Sequence, residues 1–162
     1  MIILAIDPGS EKSAWLIYDS EKRNIEFASM LDNQQIADSL ENTQPESGFN
    51  VLVIECVESF GMPVGKSVFE TCYWVGRFMQ AYKGNVERVY RSQVKMHLCN
   101  SMRAKDSNIR QALIDKFGGS RELATGTKKN QKVLYGISKD LWSALALAIY
   151  YAETETTHEN TD

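Results

Sequence analysis

Three acids in this chain of 162 residues stand where chemistry is possible. Asp7 follows the apolar run Ile2-Ile3-Leu4-Ala5-Ile6, and Glu55 follows Val51-Leu52-Val53-Ile54. Asp140 opens the stretch Leu141 to Ala152. An acid placed directly after four or five buried aliphatics is costly unless the strand has ended or the acid is paired. Two strand ends and a helix N-terminus can gather carboxylates around divalent metal, and Mg²⁺ prefers hard oxygen ligands in octahedral geometry. Two such ions about 3.5–4 Å apart clamp the attacking and leaving oxygens of a phosphodiester. Without metal the carboxylates repel one another, so the site should be strained. Each acid also has an ordinary reading: Asp7 as an Asx-turn former before Pro8-Gly9, Glu55 as a surface acid, Asp140 as an acid favoured by the helix dipole. Ser143, three residues after Asp140, shares its helix face and is either a holder of a metal-bound water or a small packing residue. Glu58 is a reserve carboxylate, expected to be exposed.

The elements that must position these acids can be read from the pattern. Ile2–Ile6, Ala14–Tyr18 and Asn24–Met30 read as three strands joined by two hairpins. Asp32 caps a helix through about Leu40, residues 42–50 form a loop, and Val51–Ile54 is the strongest strand signal. Val68, Phe69, Cys72, Val75, Phe78, Met79 and Tyr82 recur at helical spacing, predicting a long helix over 66–83. Val86–Tyr90 is a further strand. Ser92 caps a helix to about Cys99, and Asp106 or Ser107 caps one that Gly118-Gly119 ends. Residues 120–137 have loop composition. Ser138 caps a last helix, Lys139 to about Ala152, with Asp140 in its first turn. The result is one domain over residues 1–152 and a polar tail over 153–162 expected to be disordered. Three antiparallel strands followed by alternating strand and helix imply an α/β fold with a mixed sheet.

Charge is unevenly distributed. Residues 1–76 carry 4 Lys and Arg against 12 Asp and Glu, and residues 77–132 carry 13 against 4. A basic centre between acidic flanks suggests a polyanion footprint. The overall charge of −3 and pI near 5.5 argue against a protein that coats DNA indiscriminately, while leaving room for a nuclease whose site needs acids. Lys95, Lys105, Arg110, Arg121, Lys128, Lys129 and Lys132 are the candidate phosphate contacts, with the glycine-flanked Lys128-Lys129-Lys132 loop foremost. Phosphate contacts position a duplex without reading its sequence, so DNA shape would dominate recognition. Cys56, Cys72 and Cys99 with His97 and His158 show no zinc-ligand spacing. An odd cysteine count and an N-terminus that reads as a strand rather than a secretory signal lead to an expected cytoplasmic location. No run of about 18 apolar residues suggests a membrane span.

The segment Ile3-Leu4-Ala5-Ile6-Asp7-Pro8-Gly9-Ser10 resembles the opening strand of RuvC Holliday-junction resolvases, in the RNase H-like superfamily. Val53-Ile54-Glu55 resembles that family's second catalytic strand, and Asp140-Leu141-Trp142-Ser143-Ala144-Leu145-Ala146-Leu147-Ala148 its last acidic helix. The stretch from Gly61-Met62-Pro63-Val64-Gly65-Lys66 to Gly76-Arg77-Phe78 is similar to phage-encoded members. The resemblance implies an RNase H-like fold, a five-stranded mixed sheet flanked by helices. It implies Mg²⁺-dependent cleavage of branched DNA (four-way junctions, flaps, forks), with Mn²⁺ able to substitute, commonly by a homodimer leaving ligatable 5′-phosphate ends. It makes Asp7, Glu55 and Asp140 catalytic metal ligands, with Ser143 where the family usually has a fourth acid. Phe60 stands near the family's junction aromatic, with burial against the long helix as the other reading. If phage-encoded, the protein would work in the host-cell cytoplasm. Two other readings differ in class. A DNA-structure-binding module of the same fold would bind without cutting. An actin-like sugar kinase or ATPase would need about twice this length and a second phosphate loop.

Overall fold

The computed structural model describes residues 1–44 and 48–159, with side chains as far as Glu155. Strands β1 (Ile2–Asp7), β2 (Lys12–Asp19) and β3 (Asn24–Asp32) form an antiparallel meander. Helix α1 (Asn33–Asn42) follows, then β4 (Val51–Cys56), α2 (Lys66–Ala81), β5 (Val86–Tyr90), α3 (Arg91–Cys99) and α4 (Asp106–Phe117). A short α5 (Arg121–Ala124), a two-residue hairpin β6 (Gly126–Thr127) and β7 (Asn130–Gln131), and α6 (Leu141–Glu159) complete the described chain. The main sheet has the order β3-β2-β1-β4-β5, with β4 parallel to both β1 and β5. The expected five-stranded mixed sheet flanked by helices is what forms.

Alternation along β1 and β4 divides the interior in two. Leu4, Ile6, Leu52 and Ile54 pack with Ile36, Leu40, Val75 and Phe78 beneath α1 and α2. Ile3, Ala5, Val51 and Val53 pack with Leu141, Ala144, Leu145 and Ala148 beneath α6. Both strands are therefore buried on both faces, which is why they read as unbroken aliphatic runs rather than alternating ones. The same parity sends the next odd-numbered residues, Asp7 and Glu55, toward the α6 face.

The β1–β2 turn is held by a small polar network. Ser13 Oγ accepts from the Gly9 backbone N–H at 3.1 Å and donates to Asn33 Oδ1 at 2.6 Å, and Asn33 Nδ2 returns to the Gly9 carbonyl at 2.9 Å. Both Ser13 and Asn33 are buried. A Cβ at Gly9 would run into the Lys12 carbonyl oxygen, so the turn requires glycine there. Ser13 and Asn33, rather than an Asp7 Asx turn, stabilise this corner and leave the Asp7 carboxyl to the site.

Several boundaries differ from those expected, each for a local reason. Helix α3 starts at Arg91 because Gln93 Oε1 accepts from the Tyr90 backbone N–H at 2.8 Å; Ser92 lies inside the helix and donates to Glu58. Helix α4 is entered at Lys105, whose N–H donates to Asn108 Oδ1 at 2.8 Å, so Asp106 is free to bind elsewhere. Helix α2 ends at Ala81, two residues short of 83. The expected loop 120–137 contains α5 and the small hairpin. Ser120 Oγ accepts from the Leu123 N–H, Gly126 takes a left-handed conformation, and the buried Leu134 returns its N–H to the Ala124 carbonyl. Asp140 precedes α6 rather than lying in its first turn, and its carbonyl accepts from the Ser143 and Ala144 N–H groups. Helix α6 runs on through Glu159 instead of ending near Ala152. Glu153 is fastened there by Lys116 at 2.8 Å and by His97 at 2.7 Å. Of the tail expected to be disordered, residues 160–162 lie outside the described residues. Among the described residues no helix is long and apolar enough to cross a membrane.

Candidate active site

Ile6 and Ile54 are register partners in the parallel β1–β4 pair, so Asp7 and Glu55 emerge side by side where these strands end. Tyr90 is the register partner of Cys56, and Arg91 follows it directly at the start of α3. Helix α6 crosses the same face and brings Ser143 to the strand ends. Arg91 Nη1 lies 2.9 Å from Ser143 Oγ and 3.3 Å from Glu55 Oε2, while Nη2 reaches Asp106 Oδ1 at 2.7 Å. One guanidinium thus ties together β4, α4 and α6.

The electrostatics follow from this packing. Burial, then the neighbouring charge of Glu55, pushes the Asp7 carboxyl up to about 7. Asp140 adds to the rise, and Arg91 and a hydrogen bond from Ser143 work against it. Glu55 is also raised, by burial, against the pull of Arg91. Asp106 is lowered, chiefly by its hydrogen bond from Arg91. Two carboxyls penned together with raised pKa values form a site that gains from an added positive charge.

The structure brings Asp7, Glu55 and Ser143 together, with Asp140 close enough to act on Asp7 and itself exposed. It does not close them into a ligand cage. Among the described residues no group of three or more His, Cys, Asp or Glu is gathered closely enough to hold a metal ion. The donor set nevertheless suits a hard divalent cation, since it consists of carboxylate and hydroxyl oxygens whose mutual repulsion such an ion would relieve. Glu58, expected to be exposed, is partly buried. Its Oε1 accepts from Ser92 at 3.0 Å and its buried Oε2 has no hydrogen-bond partner.

The candidate DNA contacts divide into two groups. Arg110 lines a cleft of about 200 Å³ with Arg91, Asp106, Lys139, Asp140, Trp142 and Ser143, and its guanidinium lies 5.3 Å from the Trp142 ring centre. Lys95, one turn after Arg91 on α3, lies near enough to act on both Glu55 and Asp106. Lys105 is exposed at the entry to α4, next to Asp106. Arg121 is exposed on α5, and Lys128 and Lys129 form the exposed turn of the β6–β7 hairpin. Lys132 does not reach the acids. It lines a cavity with Asn24 and Ile25, which lie in the register rows of Ile2 and Ile3 at the start of β1, about 13–17 Å along the strand from Asp7. Phe60 is 69% exposed, so it is not buried against α2.

Sequence reasoning missed Arg91, Asp106, Lys139 and Trp142. A signal for Arg91 existed, because a basic residue directly follows the third strand that ends at this edge of the sheet.

No known family profile matches the chain and no curated protein matches it in sequence. Solved structures do match. Thermus thermophilus RuvC aligns with a TM-score of 0.67 at 16% identity, covering 96% of this chain and 98% of that one. T. thermophilus RuvC in complex with a Holliday junction substrate aligns with a TM-score of 0.66 at 15% identity, covering 94% and 93%. The chain has the RNase H-like fold of RuvC over nearly its whole length.

Proposed function

We propose that this chain is a divalent-metal-dependent structure-specific endodeoxyribonuclease that cleaves Holliday junctions and related branched DNA. The observation that carries the reading is the partly buried, mutually repelling pair Asp7 and Glu55 at adjacent strand ends, with Asp140 beside it, in a fold shared with a junction-bound RuvC. Asp7, Glu55 and Asp140, with the Ser143 hydroxyl, would hold Mg²⁺, or Mn²⁺ in its place. A divalent cation bound there supplies a lowered water pKa and offsets the charge that develops on the scissile phosphate.

The chain's own groups do the rest. Asp7 and Asp140 orient the attacking water. Arg110 and Lys139 hold phosphates of the flanking backbone, with Arg110 steadied over Trp142. Lys95 and Lys105 extend the basic rim, and Arg121 on α5 with Lys128 and Lys129 in the hairpin turn would contact phosphates further from the acids. Phe60 offers a face for an unstacked base at the branch point.

A four-way junction has two equivalent strands to cut, and a two-fold dimer matches that symmetry. The exposed Met62, Val64, Phe69 and Tyr73 give α2 and the loop before it an apolar surface that suits such a homodimer. A cytoplasmic setting, in the host cell if the protein is phage-encoded, fits this role.

A second reading is favoured by one observation: the acids do not form a closed ligand cage and Arg91 stands among them. On that reading the protein binds branched DNA without cutting it. Incubation of a labelled four-way junction, a flap, a linear duplex and an RNA–DNA hybrid with Mg²⁺, Mn²⁺ or EDTA separates the two. The nuclease reading predicts metal-dependent cleavage of the branched DNAs. Tight junction binding with no cleavage in any metal overturns it in favour of the binding module.

A further inference from the structure

Arg91 occupies an unusual place for a positively charged side chain in a site suited to a divalent cation. Its side chain is 29% exposed and Glu55's is 17%, so the pair is largely withdrawn from water. The guanidinium spends its donors on three groups from three elements: the Glu55 carboxylate, the Ser143 hydroxyl and the Asp106 carboxylate. Two of these, Glu55 and Ser143, belong to the donor set that would hold metal. The third, Asp106, is 79% exposed and anchors the guanidinium from the solvent side at 2.7 Å. The cleft that Arg91 lines also holds Arg110 and Lys139 beside Asp106 and Asp140, so an anion entering it meets three cations and two carboxylates.

Resting on the nuclease reading above, we propose that Arg91 is a built-in competitor of the divalent cation for Glu55, and that a DNA phosphate entering the cleft draws the guanidinium away and frees Glu55 for metal. Arginine suits this exchange. Its planar fork pairs with phosphate as readily as with carboxylate, and its charge cannot be lost at any working pH. In the DNA-free protein the guanidinium cancels part of the Asp7–Glu55 repulsion that a divalent ion would otherwise relieve, so metal uptake is weak. Arg91 is on this account a positioning residue that couples substrate arrival to assembly of the metal site. The coupling also limits the time a loaded site spends without its substrate.

The test is a titration of Mn²⁺ into DNA-free protein at pH 8, followed by electron paramagnetic resonance. Arg91→Ala is expected to bind Mn²⁺ about tenfold more tightly than the unsubstituted protein, which corresponds to about 1.4 kcal/mol. Arg91→Gln removes the charge and keeps an amide donor for Glu55 and Ser143, so its affinity should also rise above that of the unsubstituted protein. Circular dichroism establishes that each variant is folded; if Arg91→Ala is not, the Arg91→Gln comparison decides. Mn²⁺ affinity that is unchanged or weaker in the deciding variant overturns the proposal, because Arg91 would then support the ligands rather than compete with the metal. An unsubstituted protein that cuts no DNA, together with tighter Mn²⁺ binding in Arg91→Ala, would instead remove the nuclease reading and leave the competition standing.

Discussion

Replacing Asp7 by Asn should make the metal-free protein more stable at alkaline pH, although the substitution removes a central acid of the site. The folded Asp7 carboxyl titrates at about 7 against an ordinary 3.8, because burial and the charge of Glu55 disfavour its ionised form. Between those two values the folded chain keeps a proton that the unfolded chain has lost. Stability therefore falls as pH rises through that window, and the loss is complete above pH 7. From pH 5 to pH 8 about two units of the window are crossed, which at about 1.4 kcal/mol per unit is a loss of about 3 kcal/mol. For a chain of this length that corresponds to a fall of about 6–12 °C in Tm. The substituted amide does not titrate and its oxygen can still accept from Ser143, so most of this loss should vanish in the variant. Urea unfolding in EDTA at pH 5, 6, 7 and 8 reads the difference directly. Asp7→Asn should gain on the unsubstituted protein at each step upward in pH. Parallel pH profiles for the two proteins, or a variant that loses ground as pH rises, would refute the argument that Asp7 is held in a repulsive, desolvated pair.

Other consequences are open to simple measurement. Phe78 is fully buried on the inner face of α2 and packs beside Trp74 at 5.8 Å between ring centres, so Phe78→Ala should cost about 3–5 kcal/mol in urea unfolding. Phe60→Ala should change stability by no more than about 0.5 kcal/mol because the ring is exposed, yet weaken junction binding about tenfold in a gel-shift titration if the ring stacks on a base. Arg110→Ala should reduce the salt dependence of junction affinity by about one phosphate contact. Lys132→Ala should leave it unchanged, since Lys132 lies with Asn24 and Ile25 toward the other end of the sheet.

How far the sequence foretold these features depends on the distance over which each is determined. Strands β1 and β4 were legible because burial on both faces demands uninterrupted aliphatic runs, and the acids that end them stand out by contrast. Their pairing was legible through the order of elements, which leaves few topologies for a sheet of this size. Helix α3 starts two residues before a Ser92 cap would allow, because Gln93 caps from inside the helix and frees Ser92 to hold Glu58. The β6–β7 hairpin was invisible because two-residue strands carry no periodicity; it exists through the left-handed Gly126 and the buried Leu134. Helix α6 continues past Ala152, where Lys116 and His97, both remote in sequence, fasten Glu153. In the site, the acids were read from their strand ends, while Arg91 depended on how far a long side chain reaches across three elements. The basic loop illustrates the opposite limit. Lysine content marks residues 128–132 as candidate DNA contacts, but charge alone does not tell that Lys132 shares a cavity with Asn24 and Ile25.

The central claim is tested most directly by the strand-resolved products of a four-way junction with two labelled opposed strands, in Mg²⁺, for the unsubstituted protein and Asp7→Asn. The account predicts paired nicks at symmetric positions on the opposed strands, sealable by ligase, absent in EDTA and absent in Asp7→Asn. Nicks that persist undiminished in Asp7→Asn, or a junction left intact by a folded, junction-binding protein in every divalent metal, would contradict it.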